Sequence, residues 1–142
     1  KTYGSDADVL EGEESSKRIY CYIPFSTGKG GVVTGSIEIR RMLIHNDEVA
    51  KASDFAMVLI GDALEPLFPS GTMLGFKREE ARTGNIGAFV YKDQGYIRRL
   101  MVGHGKKRLD TINRHVPNVT VHDPAALRCL GVVVGVLTLV ES

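Results

Sequence analysis

Ser26-Thr27-Gly28-Lys29-Gly30-Gly31 has the composition of a phosphate cradle, since glycine-rich backbone beside a lysine can wrap phosphate oxygens. The full signature needs four residues between the first Gly and a Gly-Lys-Ser/Thr on a strand-to-helix turn, and no Ser or Thr follows Lys29. Nucleotide binding is therefore not expected. His45, His104, His115 and His122 show no helical or finger spacing to another His, Cys or carboxylate, so they read as solvated surface histidines, with no metal expected. Glu79, Glu80 and Asp93 lack the companion that would divide acid and base roles between two carboxylates, and no Gly-x-Ser-x-Gly elbow occurs. Lys106-Lys107-Arg108 and Arg40-Arg41 have no interleaved aromatic residues on which bases could stack, and they read as solvated faces. No cofactor is implied.

The elements that must position any site belong to one ordinary globular domain. The chain has 142 residues, 43% of them hydrophobic and 25% charged. Eighteen Lys+Arg against 17 Asp+Glu leave a formal charge of +1, so no bulk electrostatic attraction to DNA or to an anionic membrane is available. Cys21 and Cys129 are too few for a disulfide scaffold and wrongly spaced for zinc, which implies idle thiols in a reducing, cytoplasmic compartment. The longest apolar run, 130–140, is about half of the roughly 20 residues that cross a bilayer, so no membrane segment is expected. A first residue of Lys, with no signal peptide, suggests the back part of a longer protein.

Residues 1–17 carry Asp6, Asp8, Glu11, Glu13 and Glu14 with almost no large apolar residue and read as an acidic flexible linker. From 18 to 142 the texture is short β-branched and aromatic runs broken by Gly, Asp and Pro, which predicts a mostly β fold with short helical turns. Strands are expected over 19–25, 55–60, 73–77, 107–113, 119–121 and 129–140, with a β-hairpin in 87–102 turning at Asp93-Gln94-Gly95, where Gly95 can supply a positive φ. The glycine-rich 26–35 reads as a loop, 63–71 as a short helical turn, and 36–53 as either a helix or a strand plus turn.

One constellation is more specific. Val58-Leu59-Ile60-Gly61-Asp62-Ala63-Leu64-Glu65-Pro66 is followed by Pro69-Ser70-Gly71-Thr72 and a hairpin ending Tyr96-Ile97-Arg98-Arg99-Leu100. It resembles the C-terminal domain of LexA/CI-like repressors and UmuD, with its Gly-Asp-Ser-Met-x-Pro motif and a hairpin closing on Val-Lys-Arg-Leu. Ile112-Asn113-Arg114-His115-Val116-Pro117 is similar to the family's Asn-Pro-x-Tyr-Pro stretch, and 127–137 to its closing strand. The match runs in order over roughly residues 19–139.

The resemblance implies a LexA/CI C-terminal-type sheet and a Ser/Lys dyad in which a neutral lysine activates a serine to cut its own chain. Here the nucleophile position is Ala63, which has no oxygen, and the base position is Arg98, a guanidinium that stays protonated. Gly61, Asp62 and Pro66 keep the motif around Ala63. The family's Ala-Gly or Cys-Gly scissile bond has its counterpart at Thr27-Gly28, where Thr departs from the pattern; the same residues also read as a simple loop. Ala63 has two explanations, a serine replaced to stop self-cleavage or descent from a cleavable repressor, and Arg98 favours the second. The chain is expected to be a non-cleaving C-terminal oligomerisation domain of a phage-type repressor, the alternative being an inactivated self-cleaving or UmuD-like protein. Expected partners are a second copy in a homodimer or higher oligomer, operator DNA through an N-terminal helix-turn-helix domain outside this chain, and an antirepressor protein or RecA. Candidate interface strands are 108–113 and 132–139.

Overall fold

The computed structural model describes residues 15–24 and 37–140. Among the described residues nine strands, one short α-helix and one 3-10 turn follow in order: β1 (Ser16–Pro24), β2 (Ile37–His45), α1 (Glu48–Ala52), β3 (Phe55–Val58), β4 (Met73–Lys77), β5 (Ile86–Tyr91), β6 (Gln94–Gly103), β7 (Lys106–Asp110), β8 (Val119–Val121), the 3-10 turn (Pro124–Ala126) and β9 (Leu127–Val136). They form one mostly antiparallel sheet in the order β8-β7-β6-β5-β9-β4-β3-β1-β2, with β1 and β3 parallel. The mostly β expectation holds, and β4 and β8 span the residues their apolar runs predict.

The undecided stretch 36–53 divides at Asn46. Its first part is a strand that pairs along the whole of β1, with Ile44 buried and Met42 half-buried two residues before it on the same face. Asp47 then caps α1 by accepting a hydrogen bond from Ala50 N at 2.9 Å. The other end of α1 is held by Lys17, whose ammonium donates to the carbonyls of Ala50 (2.6 Å) and Ser53 (2.9 Å). The strand therefore begins at Ser16, inside the stretch read as linker, while residues 1–14 lie outside the described residues.

The 87–102 hairpin is present, but its turn is not at Gly95. Tyr91 pairs with Gln94, leaving Lys92 and Asp93 as a two-residue loop with φ of +52° and +66°, and Gly95 lies in β6 opposite Val90. Two successive positive φ values are the type I′ geometry that matches strand twist. The next hairpin turns in the same way at His104 (φ +52°) and Gly105 (φ +74°). Replacing Lys92-Asp93 by Asn-Gly relieves the left-handed strain and is expected to stabilise the chain by about 1 kcal/mol in urea unfolding.

Apolar side chains collect into three clusters along the sheet. Phe55, Leu74 and Phe76 centre the first, with the Phe55 and Phe76 rings stacked at 5.2 Å; Cys21, Ile44 and Leu137 centre the second under α1; Phe89, Leu100 and Leu109 centre the third. Burial pushes the Cys21 thiol up from 9.0 to about 11. The folded state thus holds that proton more tightly than the unfolded chain, and the stabilisation is complete below about pH 9 and lost as pH rises toward about 11. Urea midpoints across that window are expected to fall in the natural chain and to stay flatter in Cys21→Ala.

Candidate functional site

Beyond β3 the chain leaves the sheet in a turn built around Leu59 and Gly61. Leu59 N donates to Thr72 O (2.8 Å) and its carbonyl accepts from Gly71 N (2.6 Å), so 59–72 closes on itself as a loop. Gly61 has φ +99°, a conformation a side chain resists, and its N–H donates to Ser70 Oγ at 2.9 Å. The positive φ points the chain away from the strand and into 62–68, a single helical turn closed by Phe68 N on Leu64 O. Leu64 is fully buried in the first cluster, which anchors the turn and leaves its neighbour Ala63 nearly buried, at 5% exposure. Asp62 and Pro66 are exposed on the outer side.

A second strap holds the turn from the opposite side. The carbonyl of Ala63 accepts from Ile112 N (2.9 Å) and Asn113 N (3.0 Å), and Asn113 Nδ2 donates to Asp62 O (3.1 Å). Asn113 Oδ1 in turn accepts from His115 N at 3.0 Å, which orients the amide. Thr111 Oγ1 closes the base of the strap on the carbonyls of Asn113 and Val116, both at 2.9 Å. The position of residue 63 is thus set by backbone contacts to 112–113 as well as by its own turn. Asn113 was legible only as part of a motif-like stretch, because its partner is 51 residues away.

Arg98 arrives from the other half of the sheet. It sits on β6 opposite Gly87 and is only 2% exposed. Its guanidinium lies 5.2 Å from the Tyr96 ring centroid, and Nη1 makes a long 3.5 Å hydrogen bond to Pro117 O. Burial pushes the guanidinium below the ordinary arginine range, partly opposed by Tyr96. Ala63 and Arg98 line one narrow cleft together with Pro24, Met57, Val58, Leu59, Ile60 and Ile97. The wall is otherwise apolar, so a base placed at 98 would be desolvated, and a hydroxyl at 63 would share its cleft. Thr27 and Gly28 lie outside the described residues.

The remaining sequence candidates fall elsewhere. His45, His104, His115 and His122 are all exposed on separate elements, and among the described residues no three His, Cys, Asp or Glu side chains come together to hold a metal. Cys129 is half-buried and Cys21 buried; both are free thiols. Glu79 faces Lys77 at 3.7 Å on the surface, and Arg108 pairs with Asp110. The reading of Arg40-Arg41 as lacking an aromatic neighbour needs correction, because Tyr20 is paired with Arg41 across β1 and β2 and the guanidinium lies 5.6 Å from its ring centroid. Strand pairing supplied an aromatic that adjacency could not show. Among the described residues no helix is long and apolar enough to cross a membrane.

A sheet that carries a tight turn at 61–63 beside a buried cationic position on a neighbouring hairpin has the architecture of a LexA/UmuD-like C-terminal domain. The Peptidase S24-like family profile matches residues 22–134, most of the chain, and the protein belongs to that family. A search of curated proteins returned no significant match. Asn113→Ala removes the amide tie to Asp62 and the acceptor for His115 N, and is expected to cost roughly 1 kcal/mol of unfolding free energy, read as a lower urea midpoint with an unchanged slope.

Proposed function

We propose that this chain is the C-terminal oligomerisation and regulatory domain of a phage-type repressor, and that it does not cleave itself. The observation that carries the reading is the pairing of Ala63 with Arg98 in one cleft. A methyl group cannot attack a carbonyl, and a guanidinium cannot serve as a neutral base at ordinary pH even when burial lowers its pKa. The peptidase family fold thus carries residues unsuited to the dyad chemistry at both positions. Self-association would bring two N-terminal helix-turn-helix domains onto half-sites about 34–36 Å apart, and the near-neutral charge leaves DNA contact to those domains. Relief of repression then falls to a partner, an antirepressor protein or RecA, acting without a cut in the chain.

Covalent geometry supports a dormant substrate loop as well. Pro24 lines the cleft, and Thr27 is three residues further along, within roughly 10 Å of fully extended chain. The test is the intact mass of the natural chain, Ala63→Ser and Ala63→Ser/Arg98→Lys after incubation across a range of alkaline pH. The natural chain and the single variant are expected to stay whole. A lysine at 98 inherits the desolvated position, which favours its neutral form, so the double variant is expected to split between Thr27 and Gly28. Its rate should rise about tenfold per pH unit until the lysine is deprotonated. Fragmentation of the natural chain would overturn the non-cleaving reading, and a double variant that stays whole at every pH would remove the dormant substrate loop from it.

A further inference from the structure

The two strands that the sequence offers as interface candidates lie inside the sheet: β7 is flanked by β6 and β8, and β9 by β5 and β4. β7 is paired on both edges, whereas β9 pairs with β5 over 127–132 and with β4 over 132–136, so that its two edges are each covered along one half. β2 is different, being an outermost strand whose outer edge, among the described residues, is covered at one end only. There Val140 N donates to Leu43 O (3.0 Å) and His45 N donates to Thr138 O (2.9 Å), so the odd-numbered residues of β2 aim their backbone groups away from β1. By the alternation of an antiparallel ladder Ile37, Ile39 and Arg41 do the same, and among the described residues no strand pairs with them on that side. The surface around this open stretch is apolar, with Ile39 59%, Ile37 45% and Tyr20 55% exposed. Such an edge is a template for another strand.

We propose that the strand it receives is β2 of a second copy of this chain, running antiparallel about a two-fold axis through Ile39. This deepens the self-association reading above and rests on it. The charge pattern selects a copy and this register. Glu38 and Arg40 flank Ile39 and already form an ion pair within one strand. Antiparallel pairing centred on Ile39 sets Glu38 of each copy opposite Arg40 of the other, in the close, non-hydrogen-bonded positions where opposite charges attract most. Centring on Arg41 sets Glu38 opposite Ile44 and collides with the end held by 138–140. In the Ile39 register, Ile39 faces its own copy, and Ile37 faces Arg41, whose guanidinium lies by Tyr20. The contact is isologous and closes after two chains.

Sedimentation equilibrium of the whole chain tests this. The natural chain is expected to be a dimer, while Glu38→Arg and Arg40→Glu each set like charges opposite one another and raise the dissociation constant about tenfold or more. The Glu38→Arg/Arg40→Glu double variant restores complementarity and is expected to regain the dimer. Ile39→Pro is a second probe, since it deletes an N–H that points away from β1 and leaves the β1–β2 ladder whole. It is expected to be monomeric with an unchanged far-ultraviolet circular dichroism spectrum. A dimer that survives both charge reversals would overturn this interface and leave self-association standing. A natural chain that is monomeric at hundreds of micromolar would overturn both.

Discussion

The insertion of β9 between β4 and β5 is the contact on which the rest of the molecule depends. Without it the chain would be two separate sheets, β2-β1-β3-β4 and β5-β6-β7-β8, each a local meander or hairpin pair. β9 joins them with antiparallel ladders on both sides, and both ladders shift register along its length, between Cys129 and Gly131 and between Val133 and Gly135. Those irregularities need small residues. A side chain at Gly131 would meet Lys77 O at 2.7 Å and the Phe55 ring, and one at Gly87 would meet Gly131 O at 2.7 Å. The closeness of backbone here is what lets the first apolar cluster draw on both halves, from Phe55 and Phe76 on one side to Ala88 and Ile97 on the other.

The candidate site exists because of that joint. Ala63 follows β3 and Arg98 lies on β6, one in each half, and they share a cleft only when β9 holds the halves in register. The site is then stiffened locally. Gly61 turns the chain, Leu64 anchors it in the core, and the 111–116 strap grips the carbonyls of Asp62 and Ala63. The frame around Ala63 and Arg98 is thus held by backbone contacts and by the core rather than by either side chain.

The edges of the sheet follow a different logic. β8 at one edge is three residues long, a length that offers little to a passing strand. β2 at the other is nine residues long, and among the described residues only its 43–45 end is covered, by the chain beyond β9. Long-range closure therefore both completes the fold and leaves a defined stretch of open backbone beside exposed isoleucines.

Much of this was legible in local sequence. Short β-branched runs determined that the chain is mostly β, and MLGFK and VTV marked β4 and β8 because each is bounded by turn residues. The order of Gly61-Asp62-Ala63, Arg98 and the closing glycine-valine strand identified the family, and residue type alone determined that Ala63 lacks a nucleophile. Other features depend on partners distant in the chain. The hairpin turn fell at Lys92-Asp93 because strand register, set by pairing Ala88 with Ile97 and Phe89 with Tyr96, outweighs the preference of Gly95 for a turn. Likewise the meeting of Ala63 with Arg98, the grip of Asn113 on Asp62, the stacking of Arg41 by Tyr20 and the interior position of β9 were decided only by the tertiary structure. Local propensity acts between neighbours in sequence, whereas each of these contacts joins residues brought together by the packing of one sheet.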